Sequence, residues 1–265
     1  MGSIRFDRVN KIFGAGKAAL KALDDINLEI AEKEFVAIVG PSGCGKTTCL
    51  RIVAGFERPT TGTVSVNGRP VSGPGPDRAV VFQHFALFPW KTVRENIDLG
   101  LRNKSLAKPQ REALIADALN LMNLESHADA FPHQLSGGMQ QRVAIARAYV
   151  LDPEVLLMDE PFGALDAQTR VMMQEELVRL ARVNPRTVLF ITHSVEEAVY
   201  LADRVAVMTR RPGRIKEMID IKAIRSAEKW SERPRIEDVM DLESFIHLRT
   251  HIWKSLREEK SEDRR

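Results

Sequence analysis

The feature that most restricts the fold is the loop GPSGCGKTT, Gly40 to Thr48, set between the apolar run FVAIV (Phe35 to Val39) and the segment TTCLRIVAG. An unbroken apolar run of this length reads as a strand buried on both faces. TTCLRIVAG reads as a helix stopped by Gly55. The loop fits G-x-x-x-x-G-K-[ST] through Gly40, Gly45, Lys46 and Thr47, in the strand-to-helix setting that a phosphate loop demands. Its glycines let backbone N–H groups turn toward phosphate oxygens, and the helix N-terminus adds partial positive charge. The candidate ATP-binding residues here are therefore Gly40, Pro41, Ser42, Gly43, Cys44, Gly45, Lys46, Thr47 and Thr48. Lys46 is expected to reach the β- and γ-phosphates and the Thr47 hydroxyl to ligate Mg²⁺. A glycine turn that merely caps a helix would need neither the lysine nor the hydroxyl.

Around this loop the chain alternates. Short β-prone stretches (IRFDRV, INLEI, FVAIV, TVSV) fill Ile4 to Val66, and a further strand covers Ala79 to Phe82. The helical segments VRENIDLGLR, PQREALIADALNLMNL and GGMQQRVAIARAYVLD come next. Strand and helix then alternate again through EVLLMDE, Ala167 to Arg182, TVLFITH, Val195 to Ala202 and DRVAVMT. This pattern predicts an α/β domain with a mainly parallel central sheet, an N-terminal β subdomain and a helical insert over about 84–150, the whole occupying 1–220. From Ile221 a charged stretch, RSAEKWSERPRIED, reads as an exposed connection. Beyond it, Leu242, Phe245, Ile246, Ile252, Trp253 and Leu256 fall near helical spacing, so 221–265 is expected to be a connection and a terminal helix that packs on its own domain.

A triphosphate site also needs an acidic metal partner. In VLLMD, four apolar residues lead to Asp159, which places its carboxylate at the C-terminal edge of a strand, where open α/β sheets bind ligands. Glu160 follows, placed to orient or deprotonate an attacking water. These features still admit kinases, GTPases and recombination ATPases. LSGGMQQR, Leu135 to Arg142, decides among them. Ser136, Gly137 and Gly138 form a second glycine turn opening a helix, a second anion cradle with a hydroxyl donor. One γ-phosphate does not need two cradles in one molecule. A head-to-tail dimer does, each copy lending this turn, with Gln140, to the nucleotide held by the other.

With these segments the chain resembles the ATP-binding cassette (ABC) family, a branch of the P-loop NTPases, from Ile4 to about Ile219. The resemblance implies that Gln83 senses Mg²⁺ and the γ-phosphate at the hinge of the insert. It implies too that Ala164, Leu165 and Asp166 form a loop communicating between the two sites, and that His193 contacts the γ-phosphate and Glu160. Phe13 matches the aromatic that stacks on adenine. After His193 the sequence reads Ser194 where relatives commonly carry aspartate; a serine can still cap the following helix. The catalytic set is thus Lys46, Gln83, Glu160 and His193, and the metal set Thr47, Gln83 and Asp159.

Within the family, GPGPDRAVVFQ, LFPWKTVRENI, PHQLSGGMQQRVAIARA and YLADRVAVMTRRPGRI are similar to the ATPases of nitrate, sulfonate and taurine importers. That implies two transmembrane permease subunits as partners, an extracytoplasmic solute-binding protein acting indirectly, and a peripheral place on the cytoplasmic face of the cell membrane. Phe85, Leu87, Phe88 and Trp90 are expected to be exposed and to form the docking surface for a permease helix. Composition agrees. Lys, Arg, Asp and Glu are interspersed and the net charge is +3, so no nucleic-acid partner is expected. No apolar run approaches the ~20 residues that span a bilayer, and the N-terminus lacks a secretory signal or a myristoylation pattern. Cys44 and Cys49 are expected as reduced thiols. Two alternatives remain: a soluble ABC ATPase acting on DNA or ribosomes, against which stands the absence of long coiled-coil heptads, and a phosphotransferase, against which stands LSGGMQ.

Overall fold

The computed structural model describes residues 2–233 and 235–261. The chain opens with an antiparallel pair, β1 (Ile4–Phe13) and β2 (Leu20–Ile30), then runs through β3 (Phe35–Val39) and the phosphate loop into α1 (Lys46–Ala54). β4 (Thr61–Val66) returns beside β1 and the short β5 (Arg69–Pro70) beside β4, giving an antiparallel sheet of order β2-β1-β4-β5. After β6 (Arg78–Val81) comes the helical insert, with α2 (Val93–Asp98), α3 (Lys108–Leu121) and α4 (Gly137–Tyr149). β7 (Val155–Asp159), α5 (Ala167–Val183), β8 (Thr187–Ile191), α6 (Val195–Leu201) and β9 (Arg204–Met208) restore the alternation. β10 (Ile215–Asp220), α7 (Lys222–Ala227), α8 (Ile236–Met240) and α9 (Glu243–Ser261) follow.

The second sheet has the order β10-β9-β3-β8-β7-β6 and is parallel except for β10, which pairs antiparallel with β9. Its central strands are buried on both faces, and their two-residue period divides the core. Val36 and Ile38 of β3 join Val155 and Leu157 of β7 and Leu189 and Ile191 of β8 on the face covered by α1 and the antiparallel sheet. Phe35, Ala37 and Val39, with Leu156, Met158, Val188 and Phe190, face the other way, toward α4, α5 and α6. α1 is clamped between the two sheets. Cys49, Leu50, Ile52 and Val53 are all buried, so the helix that ends the phosphate loop cannot shift without disturbing both.

The C-terminal segment departs from the expected exposed connection. α7 and α8 fall within it, and Ile221, Trp230, Ile236 and Val239 are buried. A few apolar anchors spaced through a charged run carry no clear period, which is why the composition hides them. Phe245, Ile252 and Leu256 form the buried face of α9, which packs on α6 and β9. Ile246 and Trp253 stay partly exposed. β10 also had no visible signature, because Ile215 to Asp220 alternates half-buried and exposed residues at the sheet edge. Among the described residues no helix is long and apolar enough to cross a membrane.

Candidate nucleotide site

The phosphate loop leaves β3 at the C-terminal edge of the parallel sheet and enters α1 through Gly45, whose φ of 103° lies in the left-handed region. A Cβ there would come within 2.5 Å of Leu23 Cδ2, so only glycine fits. The turn aims the first N–H groups of α1, which have no intrahelical acceptors, into a cleft of about 490 Å³. Ser42, Gly43, Gly45, Lys46, Thr47 and Thr48 line it, with Phe13, Leu20 and Ala22 on one side and Glu160 and His193 on another. Gly40, Pro41 and Cys44 do not line it. The Gly40 and Pro41 carbonyls instead accept hydrogen bonds from Lys46 Nζ at 2.9 and 3.1 Å, holding a buried ammonium at the base of the loop. Cys44 points into the core, as does Cys49; both are free, and burial pushes both thiols above their ordinary range, so neither is a thiolate at neutral pH.

Thr47 Oγ1 donates to Asp159 Oδ1 at 3.1 Å. Burial raises the Asp159 carboxyl and the neighbouring charge of Glu160 adds to this, while the Thr47 hydrogen bond, Lys46 and Arg51 oppose it. Hydroxyl and carboxylate side by side at a phosphate loop fit Mg²⁺, which takes one or two protein oxygens and fills its remaining positions with water and phosphate. The described residues hold no cluster of three or more His, Cys, Asp or Glu that would form an all-protein metal cage.

Glu160 follows β7 with φ of 46°, a left-handed conformation that costs a non-glycine residue roughly 1–2 kcal/mol. It is held there by Glu160 N donating to Ile191 O at 2.8 Å and by its own carbonyl accepting from Gly163 N at 3.1 Å. The turn brings Glu160 Oε2 to 3.3 Å from Nδ1 of the exposed His193, which stands just beyond the end of β8. Two side chains far apart in sequence thus meet at the mouth of the cleft.

The remaining sequence candidates lie elsewhere. Gln83 is exposed after β6; its Nε2 sits over Gly163, and it hydrogen-bonds neither Thr47 nor Asp159. Ser136 caps α4 by accepting from Met139 N at 3.3 Å, so this turn is a helix N-terminus with its donors outward. Gly138 is packed so closely that a Cβ would lie 2.4 Å from Thr169 Cγ2. Gln140 spends its amide on the Pro132 and Leu135 carbonyls at 3.0 and 3.2 Å. Asp166 caps α5 through Thr169 N at 3.0 Å, and that backbone hydrogen bond holds its carboxyl below the usual range. Ser136, Gly137, Gly138, Gln140 and Asp166 are absent from the lining of the chain's own phosphate cleft.

The ABC transporter family model matches residues 23–163, more than half of the chain. The chain belongs to the ABC transporter family. It is 50% identical to an uncharacterised ABC transporter ATP-binding protein of Methanocaldococcus jannaschii, over 97% of this chain and 92% of that one. The nitrate import ATP-binding protein NrtD of Synechocystis is 47% identical over 80% of each. Among solved structures, a dimeric post-hydrolysis state of an ATP-binding cassette bound to ADP and Pi superposes with a TM-score of 0.71 at 32% identity, covering 82% of this chain and 98% of that one. The chain is an ABC ATPase with the P-loop NTPase fold, and it binds ATP.

Sequence reasoning missed several groups in this ABC ATPase. Arg211, from the turn after β9, lines the phosphate cleft, and nothing in a run of basic and proline residues marks it. Behind His193 lies a buried polar network centred on Glu197, which is only 6% exposed. Glu197 accepts from Thr192 Oγ1 and, at 3.3 Å, from Gln174 Nε2, with Arg170 Nε at 3.8 Å. Arg170 in turn donates to the Phe162 and Leu165 carbonyls at 3.4 and 2.9 Å, in the loop joining Glu160 to α5. Ser194 caps α6 by accepting from Glu197 N, as its hydroxyl allowed. The network therefore ties the His193 turn to the Glu160 loop.

The aromatic stretch after Gln83 also differs from expectation. Phe85 and Leu87 are half-buried and pack on the core, whereas Phe88 and Trp90 are exposed, Trp90 at 69%. Buried Asn96 fixes this loop, accepting from Phe88 N at 2.9 Å and donating to the Phe88, Lys91 and Thr92 carbonyls. Arg147 donates to the Phe85 and Ala86 carbonyls. Phe88 and Trp90, in edge contact at 5.4 Å, are thus presented on a rigid support.

Proposed function

We propose that two copies of this chain close head-to-tail over two MgATP molecules and couple hydrolysis to import of a small anion through two membrane permease subunits. The observation that carries this is the one-sided cleft: it collects the phosphate loop, Glu160 and His193 but none of Ser136 to Gln140, although that turn is an exposed helix N-terminus suited to an anion. In the closed dimer, Lys46, Thr47, Gln83 and Asp159 of one copy face Ser136 and Gly138 of the other, and Asp166 lies along the seam. Thr47 and Asp159 hold Mg²⁺, Phe13 stacks on adenine, Glu160 directs water at the γ-phosphate and His193 steadies the closed arrangement. Residues 1–220 act as the ATPase domain, with the insert at about 84–150 reaching the permease through Phe88 and Trp90, and 221–265 act as an extension. On this reading the protein works on the cytoplasmic face of the membrane, with an extracytoplasmic solute-binding protein acting indirectly.

The 47% identity to a nitrate import ATP-binding protein supports nitrate, or an anion of sulfonate or taurine type, as the solute. Glu160→Gln is expected to lower turnover by ~10²- to 10⁴-fold, the worth of a general base, and to accumulate an ATP-bound dimer on size exclusion. Undiminished phosphate release by that variant would overturn the assignment. With the permease reconstituted, hydrolysis should rise with nitrate, taurine or an alkanesulfonate; stimulation by DNA or ribosomes instead would support the soluble-motor alternative.

A further inference from the structure

A second cleft, of about 600 Å³, opens where the C-terminal segment meets the ATPase core. Phe35, the first residue of β3, lines it, whereas the phosphate loop follows the last, so the two clefts lie at opposite ends of the sheet, roughly 15 Å apart along the strand. The lining is strongly basic. Eight of its side chains are Lys or Arg, against two acids, Glu175 and Asp203.

Part of this charge is used internally. Arg225 donates to the Tyr200 carbonyl at 3.0 Å and to that of Ala202 at the end of α6, and it pairs with Asp203 at 3.5 Å. Arg179 pairs with Glu176, Arg186 with Asp152 and Arg235 with Asp238. Both lining acids are also engaged: Glu175 Oε1 accepts from Ile236 N at 3.2 Å, and Asp203 Oδ2 from Phe35 N at 3.0 Å. Arg182 is engaged as well, which leaves Lys33, Lys222 and Arg233, and these three form no ion pair among the described residues. They reach the lining from three separate segments: the turn before β3, the start of α7 and the stretch before α8. Helix-end capping explains Arg225, but it does not explain these three.

We infer that this cleft binds a small ligand carrying a di- or triphosphate group, through Lys33, Lys222 and Arg233. A site of this volume takes a nucleotide-sized molecule rather than a single oxyanion, and Lys and Arg together match the density of charge on neighbouring phosphates. Ligand held there would bridge the C-terminal segment to the core, leaving the phosphate loop free for ATP.

The test uses the full chain carrying one equivalent each of ADP and magnesium, which fills the phosphate loop and leaves no free nucleotide. Trp230 walls the cleft and is 4% exposed, so with Trp90→Phe and Trp253→Phe its fluorescence reports this site alone. Sodium tripolyphosphate should bind saturably with one equivalent per chain, and the triple variant Lys33→Ala, Lys222→Ala, Arg233→Ala should bind it at least ten-fold more weakly. A parallel titration with further ADP distinguishes a nucleotide from inorganic polyphosphate: competition with tripolyphosphate assigns the nucleotide, and its absence assigns the inorganic chain, either supporting the site. All three substituted residues are surface-exposed; should the triple variant nonetheless lose its thermal transition, Lys33→Gln alone should still weaken binding several-fold. No saturable binding by the parent, or equal affinity in a folded variant, would overturn the inference.

Discussion

Glu197 is the residue whose replacement should separate positioning from mere folding. Its carboxylate is the acceptor that Thr192 and Gln174 share and the charge that faces Arg170. Glu197→Gln keeps shape and volume but offers one acceptor oxygen where there were two, turning an NH₂ group toward donors. A buried donor left unsatisfied costs about 1–3 kcal/mol, and that is the expected loss of stability. Glu197→Ala strands the same donors and adds a cavity, for about 2–4 kcal/mol. Because Arg170 also holds the Phe162 and Leu165 carbonyls, slackening it should let the Glu160 loop wander, lowering kcat about ten-fold while leaving KM for ATP close to that of the parent. Only that split between kcat and KM, measured well below the melting temperature, distinguishes positioning from lost stability.

The pH dependence supplies an independent check. Burial raises the Glu197 carboxyl above its ordinary value, against the opposing Thr192 hydrogen bond and the charge of Arg170. A carboxyl whose folded pKa is raised contributes stability that is full below the unfolded value of 4.5 and is lost as pH climbs through the folded one. Urea melts of the parent should therefore show a decline in stability rising from pH 4.5, and Glu197→Gln should lack that component. A glutamine variant with parental kcat, parental melting temperature and the same pH slope would refute the network's role.

Three further outcomes follow from the same geometry. Phe13→Ala removes an aromatic wall of the cleft; base stacking worth ~1–3 kcal/mol should raise the Kd for ATP by roughly 5- to 150-fold in a fluorescent-nucleotide displacement titration, while Phe13→Tyr should leave it near the parental value. Gly138→Ala pushes a methyl into Thr169, tilting the α4 N-terminus: hydrolysis and ATP-dependent dimerisation should fail while equilibrium ATP binding to the monomer persists, and normal turnover would contradict the shared-site arrangement. Trp90→Ala alters an exposed side chain, so thermal stability should move by no more than about 0.5 kcal/mol, yet co-purification with the permease should drop sharply.

Much of this molecule was legible because its chemistry is written in contiguous residues. The phosphate loop, the strand ending in Asp159, and Ser136 opening α4 each carry their structural setting within a dozen positions, and all three stand at element boundaries. The illegible parts share one physical cause: their partners are distant in sequence and their signals are single residues. Gln174 and Glu197 look like ordinary polar-face positions on two helices until the packing of α5 on α6 buries both. In the run from Phe85 to Trp90, composition could not say which aromatics face inward; Asn96 and Arg147 decide that by pinning the loop's carbonyls. The phosphate cleft likewise holds only part of what the motifs point to. The motifs mark the phosphate loop, Glu160 and His193 but not Arg211, and Ser136 and Gly138 lie on a helical insert between β6 and β7, beyond the lining of the chain's own cleft. If the two turns share one nucleotide across a pair of copies, as proposed, the rate of hydrolysis per chain should rise with protein concentration, and a rate independent of concentration would refute the shared site.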